Sequence, residues 1–258
     1  MATFRSKWLR AAALVTLLGS GSARADKAAG YMPGIDLVAP KGWLPGATFT
    51  ARLTCQDAVS LAASMASGYA ATRDGDQVKV HVTGYAPLPG TPEDANRKPS
   101  FLVDFDDPLF ATLRAAIVGK YGEHPSPAQL AAFTDGYITN KDSSRGEDHA
   151  STVAKRKEGD CTEHAVLLAA LVRLFGGASR LVNGVAFIIV EQKTYAFGHQ
   201  WVEVEVDGKW QPFDGTRPSE RPDGHWLPVS IVDDESMRRG KSAAHLMRVQ
   251  PQQITIDQ

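Results

Sequence analysis

The residues of this 258-residue chain best placed for chemistry are a cysteine, a histidine and an aspartate. Cys161 opens an apolar run that continues to Phe175 and is stopped by Gly176-Gly177. Asp160-Cys161-Thr162-Glu163 reads as a helix N-cap with an acidic residue three positions later, the pattern of a capping box. The first turn of a helix gathers unpaired N–H groups and the positive end of the macrodipole, and both favour thiolate over thiol. A thiol in such a place is expected to fall below the free value of about 8.5. Its own N–H is directed where a developing oxyanion can be held. A small apolar core residue is the alternative, and it fits poorly beside Asp160 and Glu163.

A nucleophilic thiol needs a base, and seven histidines are available. His164 lies one turn along from Cys161, but a base on the same helix leaves no cleft for a substrate. It reads as a structural residue under the helix start. His81, His124, His149 and His245 stand in polar segments and read as surface residues, while His225 adjoins Trp226 in a loop. His199 is distinguished by hairpin register. With Asp207-Gly208 as a two-residue turn, Val206 opposes Lys209, Val202 opposes Phe213 and Trp201 opposes Asp214. His199 then shares the face of Trp201 and is diagonal to Asp214, a separation of about 7–8 Å at the backbone. Trp201 and Trp210 flank this face, and Val202, Val204, Val206 and Phe213 supply the other, which belongs in a core. A salt-bridged sheet surface would look the same from these two residues alone.

Three segments together are more specific. Gly159-Asp160-Cys161-Thr162-Glu163-His164, Gly198-His199-Gln200-Trp201-Val202-Glu203-Val204 and Gly208-Lys209-Trp210-Gln211-Pro212-Phe213-Asp214 resemble the bacterial transglutaminase-like superfamily. Arg173 to Arg180 resembles that family's link from the cysteine helix to the first strand. The resemblance covers about residues 101–256 and is densest over 150–216. It implies a papain-like fold, with a cysteine-bearing buried helix packed on an antiparallel sheet that carries the histidine and aspartate. It further implies Cys161 as nucleophile, His199 as base and acid, and Asp214 as the group that orients the imidazole. The expected reaction is acyl transfer through a thioester on a peptide or protein substrate. Hydrolysis makes the protein a cysteine peptidase or amidase, and transfer to an amine makes it a cross-linking transglutaminase. A non-catalytic cell-envelope binding or scaffold protein that keeps the fold is the competing class. No cofactor and no metal are expected, because the acidic stretches Asp142 to Asp148 and Asp233-Asp234-Glu235 lack a recognisable ligand spacing.

These residues must be positioned by elements the sequence also outlines. Residues 1–25 read as a secretory signal: Arg5, Lys7 and Arg10, a short apolar stretch from Ala11 to Leu18, then Ala23-Arg24-Ala25. Its removal takes away four basic residues and no acid, leaving 24 basic against 29 acidic side chains, a formal charge of −5. That balance gives no reason to expect nucleic acid, and no apolar run is long enough for a membrane-spanning helix. The expected location is periplasmic or secreted, without stable membrane insertion. Cys55 and Cys161 are the two cysteines, and export would permit them to pair.

Residues 26–100 read as a small mixed region and linker, and 101–258 as the catalytic domain. Within the first, Asp57 caps a short helix ending at Gly68, and Gln77 to Thr83 alternates as a half-buried strand entered through Asp74-Gly75. Tyr85 to Ser100 carries four prolines and reads as a linker or long surface loop. Asp107-Pro108 and Ser126-Pro127 predict helices over 108–121 and 127–139. Helix then gives way to strand: Arg180 to Val190 is rich in β-branched residues, and His199 to Phe213 forms the hairpin. Helices first and antiparallel strands afterwards define an α+β domain.

Overall fold

The computed structural model describes residues 34–141, 148–218, 225–234, 238 and 247–257. The signal expected at 1–25, most of the acidic stretch Asp142 to Asp148, Glu235 and His245 lie outside them. Strands β1 (Gly34–Val38) and β2 (Phe49–Thr54) come first, followed by helix α1 (Ala58–Tyr69) and strands β3 (Thr72–Asp74) and β4 (Gln77–Val82). After a short 3-10 turn (Asp94–Arg97) come four helices, α2 (Leu109–Tyr121), α3 (Pro127–Tyr137), α4 (Ala150–Arg156) and α5 (Cys161–Leu174). The remaining strands are β5 (Ser179–Val190), β6 (Lys193–Val206), β7 (Lys209–Phe213), β8 (Trp226–Ile231) and β9 (Gln253–Ile256). The expected α+β class is observed.

Local chemistry accounts for several boundaries. Asp57 accepts the Ser60 N–H at 3.1 Å at the start of α1, and Leu61, Met65 and Tyr69 bury one stripe at four-residue spacing. Ser126 and Gln129 form a reciprocal capping box at α3, with Pro127 at the first helical position. That helix ends at Tyr137, two residues earlier than expected. In β4, Val78, Val80 and Val82 are buried while Lys79 and His81 are exposed, the period of a half-buried strand. Helix α5 is apolar nearly all round and is buried from Thr162 to Arg173.

The strands run in the order β3-β4-β2-β9-β1-β6-β5-β8, with β7 added to β6. The long β6 takes two partners at different places: Gly34 and Ile35 of β1 lie opposite Phe197 and Ala196, whereas β7 lies opposite Val202 to Val206. His199 falls between these stretches, opposite Gly184 of β5. One apolar core joins α2 to α5 with Leu181, Val202 and Val204; a second joins β1, β2, β4, β9 and α1 with Val185, Phe187 and Leu227. A third, smaller one contains Leu88, Val182, Ala186, Trp201 and Trp226.

The proline-rich stretch is anchored to this third core. Leu88 is buried, the carbonyls of Leu88 and Pro89 accept from Arg180 at 2.5 and 3.0 Å, and that of Gly90 accepts from Trp210 Nε1 at 2.8 Å. Proline leaves few N–H groups for a sheet ladder, so side chains reach its carbonyls instead.

Candidate active site

Cys161 is the first residue of α5 and is half-buried. The start of that helix is tied in several ways. The Asp160 carboxylate accepts the Thr162 N–H at 2.9 Å, and the Asp160 N–H donates to Glu163 Oε2 at 2.9 Å. Such a cap is worth about 1 kcal/mol. Burial, with the Asp160 charge alongside, pushes the Glu163 carboxyl up to about 7. Gly159 makes this closeness possible: at φ +147° it stands where an added Cβ would lie 2.3 Å from that of Glu163.

His199 and Asp214 are both buried, at 7% and 3% exposure, and bond through Nε2 and Oδ2 at 2.6 Å. Burial disfavours the imidazolium, but the Asp214 charge and hydrogen bond outweigh it, helped by the Cys161 side chain, and His199 is raised above its ordinary value. Burial pushes Asp214 up, but His199 and Thr216 pull it down more strongly, so it is held below the usual carboxylate range. Thr216 donates its N–H and hydroxyl to Asp214 Oδ1 at 2.7 and 2.6 Å. With Nε2 held by the carboxylate, Nδ1 is the second imidazole nitrogen, and the Cys161 side chain contributes to the rise of His199.

The hairpin register is as the turn arithmetic requires. Val206 pairs with Lys209 and Val202 with Phe213, and Asp207 and Gly208 both have positive φ. Asp214 follows the last ladder residue and turns to His199. The imidazole lies 6.1 Å from the Trp201 ring and 6.0 Å from that of Trp226. Gly184, opposite it, leaves space for Trp201: a Cβ there would lie 2.4 Å from that indole.

The other sequence candidates separate from this group. His164 is fully buried, its Nδ1 bonded to the Asp160 carbonyl at 2.5 Å and its Nε2 to Lys141 Nζ at 2.8 Å. Both of its nitrogens are taken, which fits the structural role read from its place on the helix. His81 and His124 are exposed, and His149 bonds the Phe101 carbonyl. Cys55 sits in the second core, both cysteines are free, and burial pushes the Cys55 thiol up. Trp210, opposite Glu205 and so on the face of Trp201, lies under Arg180, 4.5 Å from the guanidinium carbon. Thr216 was not singled out by sequence reasoning. The signal was present in Asp214-Gly215-Thr216, since an aspartate before glycine and a hydroxyl residue is a local turn in which the carboxylate accepts from two residues on.

Residues 124–215 match the family model of the transglutaminase-like superfamily. This segment runs from the residues before α3 through β7 and Asp214 and is similar to that superfamily. Comparison with curated proteins gives no match. Among solved structures, a putative cysteine protease from Cytophaga hutchinsonii is similar at 21% identity and a TM-score of 0.40, over 63% of this chain and 50% of that one. The periplasmic domain of TgpA from Pseudomonas aeruginosa, bound to ethylmercury, is similar at 20% identity and a TM-score of 0.32, over 48% of each chain. The chain thus spans about half the length of the solved structures it matches.

Proposed function

We propose that this protein is an exported cysteine-dependent hydrolase, a peptidase or amidase, that works through a thioester acyl-enzyme. The observation that carries this reading is the buried His199–Asp214 bond with the Cys161 side chain acting on the same imidazole. Cys161 is the nucleophile, His199 the base and then the acid, and Asp214 fixes the imidazole with Nε2–H towards itself. The sulfur attacks the carbonyl carbon of an amide, His199 takes the thiol proton, and the N–H of Cys161 donates to the oxyanion. The C–N bond then breaks and His199 returns the proton to the departing amine. Water attacks the thioester, its proton passes to His199, the acid leaves and the thiol is restored.

Hydrolysis is favoured over cross-linking because water needs no second binding site. The basic start, short apolar stretch and Ala-x-Ala site over residues 1–25 support export to the periplasm or beyond. Residues 101–258 form the catalytic unit in this reading, with residues 26–100 preceding it. Incubation with a peptide pool followed by intact-mass and peptide mapping tests the reaction. An acyl adduct on Cys161 that water releases is expected; a Cys161 that never acylates, in folded protein, ends the enzymatic reading. An adduct released only by added amine would instead make the protein a cross-linking transferase.

A further inference from the structure

Beside the cysteine lies a second buried histidine that the acyl-transfer cycle does not use. His164 has a defined tautomer from its partners alone. The Lys141 ammonium has only hydrogens to offer, so Nε2 accepts; the Asp160 carbonyl only accepts, so Nδ1 carries the hydrogen. Lys141 in turn donates to Asp135 Oδ1 at 2.7 Å, and Asp135 belongs to α3. The chain of contacts runs Asp135, Lys141, His164, Asp160, and ends one residue before Cys161. The backbone beside Asp214 reaches the same place: a Cβ on Gly215 would lie 3.0 Å from the His164 carbonyl oxygen.

We propose that His164 is a positioning residue, a neutral imidazole strut that ties the start of α5 to the Lys141–Asp135 pair and so holds Cys161 against His199. The proposal rests on the reading of Cys161 as the nucleophile. An imidazolium would have to present a second N–H to an ammonium 2.8 Å away, so only the neutral ring fits. The groups facing it are Lys141 after α3, Asp135 on α3, Asp160 at its own helix start and Asp214 at the end of β7. Burial first, and the Lys141 charge second, lower His164 to about 4. Because that lies below its unfolded value of about 6.5, the strut contributes stability above about 6.5 that is lost as the pH falls through about 4.

Two measurements test this on the whole chain. The first is an NMR titration of the His164 ring in wild type and in Lys141→Met. The wild-type ring is expected to stay neutral well below the ordinary histidine range, and removal of the ammonium is expected to raise its midpoint. A wild-type ring that titrates at about 6.5 overturns the proposal. The second is the rate at which iodoacetamide alkylates Cys161 near neutral pH. His164→Ala is expected to slow it about tenfold or more, since a small displacement of the sulfur undoes its pairing with His199. His164→Gln keeps an acceptor at the Nε2 position for the Lys141 ammonium and is expected to recover most of the loss. If folded His164→Gln is as slow as His164→Ala, or if neither is slowed, the strut is not what positions the thiol. Alkylation needs no substrate, so a protein that never forms an acyl-enzyme but shows this pattern overturns the proposed function and leaves the strut standing.

Discussion

Strand β6 carries two buried carboxylate–cation pairs on one face, four residues apart, and they are built differently. At Glu203 every oxygen is saturated: Arg180 Nε and Nη2 donate to Oε2 at 2.7 and 2.5 Å, and the Tyr85 hydroxyl donates to Oε1 at 2.6 Å. Arg180 spends its other donors on the carbonyls of Leu88 and Pro89. Trp201 Nε1 donates to the Tyr85 hydroxyl at 2.9 Å, which closes the group. Burial pushes Glu203 up against the pull of Arg180 and Tyr85. At His199 the carboxylate is bonded on both oxygens too, but by Thr216 and one imidazole nitrogen, and the Cys161 side chain acts on the same ring. An arginine cannot lose its proton in a protein, whereas a histidine can. The first pair therefore holds the proline-rich stretch to the sheet, and the second, in the proposed function, moves a proton. Two ion pairs of similar burial thus differ in whether the cation can give up its proton.

The largest effect follows from breaking the second pair. Asp214→Asn keeps the shape but removes the charge that supports imidazolium, and its amide no longer requires Nε2–H. We expect folded protein whose acylation rate falls by about two to four orders of magnitude, measured by burst or single-turnover kinetics. Wild-type acylation in that variant would remove Asp214 from the mechanism and leave Cys161 and His199 to be tested separately.

Breaking the first pair should act on stability instead. Arg180→Met leaves Glu203 buried and without its cation, and removal of one partner of such a pair costs about 3–5 kcal/mol. Urea unfolding at neutral pH measures this. Acylation per folded molecule should stay within about threefold of wild type, because Arg180 touches neither His199 nor Cys161 in the assigned site. A large loss of rate without loss of stability would mean that the two pairs are one functional unit.

A pH series sharpens the contrast. Asp214 is held below the ordinary carboxylate value of about 3.9, so its contribution to stability is present above that value and is lost as the pH falls through the lowered one. His199 is raised above about 6.5, so its contribution is complete below that value and fades as the pH rises through the raised one. Between about 4 and 6.5 the pair contributes in full. Thermal melts of wild type and Asp214→Asn should differ most in this window and converge on both sides. A constant difference across pH would show that the pair is not ionised in the folded protein.

How much of this could be read beforehand depends on how local the cause is. The start of α5, the caps at Asp57 and Ser126 and the β6–β7 register are set by residues within a few positions of one another, and each was legible. The segment Ala150–Arg156 was not, because seven residues give too little periodicity to distinguish a helix from a loop. Nor was β9, which pairs parallel to β1 and antiparallel to β2 across some two hundred residues; nothing local in Gln253–Ile256 names its partners. The proline-rich stretch showed its lack of regular structure but not its anchorage, since the guanidinium that fixes it comes from β5. The Glu203–Arg180 pair lay within reach, because the two stand directly opposite each other in the β5–β6 ladder. Arg180, the one charge in β5, was the available sign.

The smallest expected effect concerns the turn that sets the site's register. Asp207 has φ 52° and Gly208 φ 76°, the two left-handed positions of a two-residue hairpin turn. Asparagine adopts that conformation as readily as aspartate, and the Gly208 N–H is already taken by Glu205 at 2.8 Å. Asp207→Asn should therefore shift stability by no more than about 0.5 kcal/mol and acylation by no more than about twofold. The same chemical change seven residues later removes the imidazole's anion, so the two variants differ only in where the carboxylate sits relative to His199. The ratio of their acylation rates isolates that placement from any general effect of losing an acid on β7 or its turn. A ratio near one, with both variants folded, would mean that the register brings Asp214 to His199 without the chemistry making use of it.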